Sequence, residues 1–191
     1  KKGIPLSNDS QIFMEVVPCK TIGITGSAGK TTTTTLVGRM AKAAYGERSF
    51  VGGNIGDPLI NYVDEMTTDD FAILELSSFQ LDQMTISPNV AAILNVTPNH
   101  LDRHGTMEAY TAAKSRILEF QDKADMAVLG CDDKGSWNMR EKVHGKLFTF
   151  SLKELEEGLD GTYLHDGLLN LRDGNAYLPL ILREKIRLRG D

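Results

Sequence analysis

"GITGSAGKTTTTT", residues Gly23 to Thr35, decides the fold. An apolar segment, "KTIGIT" (residues 20–25), runs into it, and a helix-length segment, "KTTTTTLVGRMAKAAY" (residues 30–45), leaves it and stops at Gly46. A glycine-rich turn between a strand and a helix aims several backbone N–H groups at one point, where the helix N-terminus adds positive potential. Gly26, Gly29, Lys30 and Thr31 are the residues such a phosphate-binding turn needs. The glycines allow the bend, the ammonium reaches terminal phosphates, and the hydroxyl meets Mg²⁺. The standard loop has one more glycine, five residues before Gly29, and Ile24 stands there. The turn is therefore expected to be shorter and to bend at Gly26. Thr31–Thr35 are poor helix formers, so the first helical turn needs support other than propensity.

Outward from this loop the same alternation continues. "SFVGGNIG" (49–56) reads as a strand entering a glycine loop, with a helix from Pro58 to Glu65. "DFAILEL" (70–76), "NVAAILNV" (89–96), "ADMAVLG" (124–130) and "GKLFTF" (145–150) are strands apolar on both faces. Helices separate them: "MEAYTAAKSRILEF" (107–120), capped by Thr106, and "DKGSWNMREKV" (133–143). Such a pattern predicts an α/β fold, a mostly parallel sheet with helices on both faces. From about Gly161 the texture changes: Asp166-Gly167 and Asp173-Gly174 are hairpin signals, predicting a small antiparallel meander near the C-terminus. Before Lys20, "SQIFMEVV" (10–17) does not decide between helix and strand.

Bulk composition narrows the function classes. The 191 residues are 41% hydrophobic and 25% charged, which supports a sizeable soluble core. A net charge of −5 argues against a nucleic-acid or anionic-membrane surface, since both need clustered Lys and Arg. The locally basic tail, Arg183, Lys185, Arg187 and Arg189, alternates with Glu184, Ile186 and Leu188 and reads as the solvated face of a strand. Cys19 and Cys131 form no C-x-x-C pair and read as reduced thiols of a cytoplasmic protein. No apolar run approaches the ~18 residues of a membrane span. The chain opens Lys1-Lys2-Gly3, without an initiator Met, as a piece of something longer would.

Chemistry-bearing residues collect at strand ends. Glu75 closes an apolar strand, where a lone carboxylate calls for a compensating cation. "NVTPNHLDRHG" (95–105) brings His100, Asp102, Arg103 and His104 into one turn after the next strand, and His100 is nearest the strand end. "GGNIG" (52–56) offers Asn54, and "SSFQL" (77–81) offers Ser77, Ser78 and Gln80. On the helix after Thr106, Ala109, Ala113 and Ile117 form the expected apolar face. Tyr110 and Lys114 then lie beside it, and Lys114 reads as a surface lysine with its stem on the core.

"TGSAGKTTT", "GGNIG", "ELSSFQL", "NVTPNHLDRHG" and "AAKSRI", in that order, resemble the ATP-binding central domain of the Mur ligases. The "ELSSFQL" and "GGNIG" spellings resemble those members that add D-glutamate to UDP-N-acetylmuramoyl-L-alanine in bacterial peptidoglycan synthesis. This resemblance implies that residues 1–18 end an N-terminal UDP-binding domain, that 19–191 are most of the central domain, and that a D-glutamate-binding domain is absent. By the same resemblance, Gly26, Ser27, Ala28, Gly29, Lys30, Thr31 and Thr32 would hold the ATP phosphates. Thr31, Glu75, His100 and Lys114 would serve the magnesium ions, Lys114 as a carbamate made with CO₂. Lys30, His100 and Lys114 would be catalytic, and Asn54, Ser77 and Gln80 would meet the UDP-linked substrate. Asn99 stands where some relatives have an acid. The implied reaction makes an acyl phosphate from ATP and the substrate carboxylate, then an amide, and the 191 residues alone would not complete it.

Two other readings compete. A GTPase would show N-K-x-D after a buried strand, where this chain has "NVTPNHLD". A nucleotide-binding regulatory module without ligase activity would lack a second α/β domain in its reading frame.

Overall fold

The computed structural model describes residues 7–188. Helix α1, Asp9–Val16, opens the described chain; the Asn8 side chain accepts from the Gln11 N–H at its start. Its face carrying Phe13 and Met14 is buried in the same core as the strands that follow. That burial selects helix for a segment whose sequence left the choice open.

Strand β1, Lys20–Thr25, leads through the glycine turn into helix α2, Lys30–Tyr45. Strand β2 is Ser49–Gly53, and β3 is Phe71–Glu75. The short helix α3, Ser78–Leu81, precedes β4, Val90–Ile93. Helices α4, Leu101–His104, and α5, Met107–Glu119, then lead to β5, Met126–Gly130. After α6, Lys134–Trp137, come β6, Lys146–Ser151, β7, Gly161–His165, β8, Leu168–Asp173, and β9, Ala176–Leu182.

The nine strands among the described residues form one sheet in the order β2-β3-β1-β4-β5-β6-β7-β8-β9. Pairing is parallel from β2 through β7 and antiparallel across β7-β8-β9. The meander is thus continuous with the main sheet, because β7 pairs parallel to β6 before the chain turns back at Asp166-Gly167. Alternate strand residues feed two apolar clusters. Ile24, Ile73 and Ala92 meet Val37 and Ala41 of α2 on one face. Ala72, Leu74, Ala91 and Ile93 meet Phe13, Tyr110, Ile117 and Leu118 of the helices on the other. Two covered faces explain why these strands read as unbroken apolar runs.

Several local expectations change. Residues Leu59–Glu65 form a 3₁₀ helix, and the segment after α6 tightens into another, Asn138–Lys142. The basic tail is not a strand: Arg183–Lys185 is a 3₁₀ turn whose first N–H donates to Gly167 O, and Arg189 lies outside the described residues. On α5 the buried stripe is Tyr110, Ala113, Lys114, Ile117 and Leu118, while Ala109 is exposed. The stripe is rotated by one residue because Lys114 itself points inward. Thr106 does cap this helix, accepting from Ala109 N–H at 3.1 Å.

Candidate nucleotide and metal site

The carboxyl ends of β1, β2, β3 and β4 lie side by side, the edge at which open α/β sheets gather ligands. Register does the alignment: Ile24 pairs with Glu75, and Glu75 pairs with Gly53. Ile24 is therefore a fully buried strand residue outside the turn, which is why no glycine is needed there. The left-handed backbone falls at Gly29, with φ of 82°, rather than at Gly26. Gly26 is needed for a different reason: a Cβ there would lie 3.0 Å from Leu94 Cβ.

Thr31, in the first turn of α2, donates its hydroxyl to Glu75 Oε2 at 2.7 Å. This contact supplies the support that the threonine run lacks by propensity. Asn54 Nδ2 donates to Glu75 Oε1 at 2.9 Å, and Asn54 N–H to Glu75 O at 2.8 Å. Glu75 is 1% exposed, and two neutral donors hold its carboxylate. Thr31 and Glu75 thus put hard oxygen donors at one point, the donor type that suits Mg²⁺.

Lys30 Nζ donates to Gly26 O at 3.0 Å. Lys114 Nζ reaches the same oxygen at 2.9 Å, and Thr25 Oγ1 at 3.3 Å. Far from being a surface lysine, Lys114 is 1% exposed, with its ammonium 4.8 Å from the centre of the Tyr110 ring. Burial, and then the charge of Lys30, lower its pKa from 10.5 to about 7. Tyr110 OH lies 3.0 Å from Ser27 Oγ, so Tyr110 touches both the lysine and the loop.

The remaining candidates are placed nearby in differing ways. His100 is exposed at the start of α4 with φ of 51°, its ring 5.6 Å from Phe79. His104 is the engaged histidine of that turn: its Nε2 is 3.0 Å from Ser78 Oγ, and it stacks on Phe79 at 4.9 Å. Asn99 Oδ1 accepts from the His100 N–H. Ser77 and Gln80 form a reciprocal cap on α3, and Gln80 Nε2 also donates to Ser10 Oγ at 2.8 Å. Among the described residues no three His, Cys, Asp or Glu side chains converge as a ready-made metal cluster. Beside the loop lies an open pocket of about 960 Å³, lined by Gly29, Thr32 and Leu36 on one side and Leu164, Leu169 and Leu182 on the other.

The sequence profile of the Mur ligase middle domain matches residues 24–169. The chain belongs to that family. Curated UDP-N-acetylmuramoylalanine–D-glutamate ligases are similar along the whole chain, at 39% identity in Symbiobacterium thermophilum and 43% in Clostridium kluyveri. The chain spans 42% and 40% of those proteins, about two fifths of their length. Among solved structures, the MurF ligase of Thermotoga maritima in complex with ADP shares the fold, with a TM-score of 0.60 at 22% identity. It covers 90% of this chain and 42% of that one. Escherichia coli FolC with DHPP and ADP gives 0.57 at 15% identity, over 94% of this chain and 55% of that one. The sheet with its loop-to-helix turn is thus the Mur ligase middle-domain fold.

Sequence reasoning passed over Asn95, Thr97 and Thr25. Thr97 N–H donates to Ser27 Oγ, which in turn donates to Thr97 O, and Asn95 grips Ala28. Their signal was positional: each lies at or just beyond a strand end bordering the loop. Cys19 and Cys131 are both free thiols, Cys19 buried and Cys131 half-buried. No described helix is long and apolar enough to cross a membrane.

Proposed function

We propose that this chain is the ATP-binding part of a ligase that adds D-glutamate to UDP-N-acetylmuramoyl-L-alanine in peptidoglycan synthesis. The observation that carries this reading is the convergence of Lys30, Lys114, Thr31 and Glu75 around the loop that follows β1. Relatives at about 40% identity bear that ligase name, and a solved neighbour holds ADP. Lys30 would turn from Gly26 O to the terminal phosphates, and the α2 N-terminus would take the phosphate oxygens. The pocket between Gly29 and Leu169 would accept the nucleoside.

Thr31, Glu75 and His100 would hold Mg²⁺, which when bound neutralises charge on the transferring phosphoryl group. Lys114 fits the carbamate reading. At pH 7 an ordinary lysine is neutral in about one molecule in three thousand. An amine of pKa about 7 is neutral in about half of them. The neutral nitrogen attacks CO₂, a C–N bond forms, one proton leaves, and the site gains an anion. Asn54, Ser77 and Gln80 would meet the UDP-linked substrate; Ser77 and Gln80 do so as a rigid capped turn. The carboxylate of that substrate would take the phosphoryl group from ATP, and the amine of D-glutamate would displace phosphate.

Calorimetric titration of the chain with ATP, with and without Mg²⁺, tests the nucleotide reading; binding that prefers GTP, or that ignores Mg²⁺, sinks it. Phosphate release by the whole protein must depend on both UDP-N-acetylmuramoyl-L-alanine and D-glutamate.

A further inference from the structure

Strand β4 ends at Ile93, yet its chain keeps bonding to the chain of β1 beyond that point. Leu94 N–H donates to Thr25 O at 2.9 Å, and Ser27 N–H donates to Asn95 O at 2.9 Å. Past these bonds no backbone group among the described residues reaches Ala28, and the Asn95 side chain takes over. Its Oδ1 accepts from Ala28 N–H at 2.9 Å, and its Nδ2 donates to Ala28 O at 3.1 Å. A side-chain amide thus does for Ala28 what a neighbouring strand does for a strand residue.

The consequence falls on the phosphate loop. Ser27 and Ala28 have their N–H groups satisfied by Asn95. The first intrahelical bond of α2 is Thr33 N–H to Gly29 O, so the N–H groups of Lys30, Thr31 and Thr32 are the helix-end donors with no acceptor among the described residues. Ala28 immediately precedes Gly29, whose φ of 82° starts the helix. Holding both polar groups of Ala28 fixes the peptide from which those donors fan out.

We propose that Asn95 is a positioning residue for the triphosphate: its amide clamps Ala28 and so aims the donors of Lys30 to Thr32. The proposal rests on the reading that this loop binds ATP. It does not require Asn95 to touch the nucleotide.

A built-in control exists at the other end of β4. Asn89 Oδ1 accepts from Thr21 N–H at 3.0 Å, stapling the same two strands away from the loop. Asn95→Ala and Asn89→Ala are each compared with the parent chain for thermal midpoint and for affinity to Mg-ATP and to inorganic tripolyphosphate. Asn95→Ser, which also lacks the two-point amide, serves as a second variant should alanine fail to fold. Expected are a lowered midpoint in both positions, and an affinity loss of about tenfold for both polyphosphates at Asn95 only, the size of one to two lost hydrogen bonds. Polyphosphate affinity within twofold of the parent in the Asn95 variants, or an equal loss in Asn89→Ala, overturns the proposal. A parent chain that binds no ATP overturns the nucleotide reading itself, and the proposal with it.

Discussion

The ammonium groups of Lys30 and Lys114 share one acceptor, the carbonyl oxygen of Gly26, at 3.0 and 2.9 Å. Two cations on one oxygen repel each other, and the buried one yields: the charge of Lys30 adds to burial in lowering the Lys114 pKa to about 7.

Removing the Lys30 charge should therefore raise the Lys114 pKa. In Lys30→Met, the Lys114 titration followed by NMR of isotope-labelled lysine should move up from about 7 towards the ordinary value, without reaching it, because burial remains the larger cause. An unmoved titration would show that the two lysines do not interact.

Stability should depend on pH through the same side chain. Between about 7 and 10.5 the unfolded chain protonates Lys114 while the folded chain does not. The unfolded state then binds more protons, and stability rises with pH across that window. Below about 7 both states carry the proton and the dependence ends. Urea midpoints measured from pH 7 to 9 should rise in the parent and rise less in Lys114→Met; parallel slopes would contradict the assignment.

Glu75 joins Thr31 and Asn54, and its variants should separate fold from metal. Glu75→Gln can still bond both neighbours, so the melting temperature should change little while the Mg²⁺ dependence of ATP binding disappears. Glu75→Ala leaves Asn54 and Thr31 without their acceptor and should cost about 1–3 kcal/mol in chemical denaturation. Retained Mg²⁺ dependence in Glu75→Gln would place the ion elsewhere.

Gly53 sets the position of Asn54. Its φ is 98°, and a Cβ there would lie 2.3 Å from Glu75 O. Gly56 has φ of 69° with nothing within 4 Å of a Cβ. Gly56→Ala should cost about 1–3 kcal/mol from backbone strain alone. Gly53→Ala should cost clearly more, because it also forces β2 from β3. Equal losses in denaturant unfolding would mean that the strands separate without penalty.

Much of the candidate site was legible because it follows strand ends. "KTIGIT", "FAILE" and "VAAI" are apolar on both faces, so a parallel sheet and a shared carboxyl edge followed, and with them Lys30, Thr31, Asn54 and Glu75. Lys114 reads as a surface residue from its own helix, yet it is buried. A helical lysine is buried only when something across the sheet accepts its amine, and Gly26 O lies 88 residues away in sequence. His100 is nearest the strand end in sequence, while His104 is the histidine whose Nε2 meets Ser78 Oγ and whose ring stacks on Phe79. A four-residue helix rotates the two imidazoles differently, and no periodicity reveals that. The basic tail alternates like a strand, but Arg183–Lys185 turns as a 3₁₀ helix closed by Ile186 N–H to Arg183 O, and β9 stops at Leu182.

The sequence by itself determined the alternation of strands and helices and the glycine turn before α2, because these depend on local periodicity and local backbone freedom. Tertiary structure alone decided which groups face one another. The register of Ile24, Glu75 and Gly53, the two lysines on Gly26 O, and the grip of Asn95 on Ala28 all join segments tens of residues apart. Such contacts form only when the sheet brings its strand ends together, so their chemistry belongs to the fold and not to any one stretch of chain.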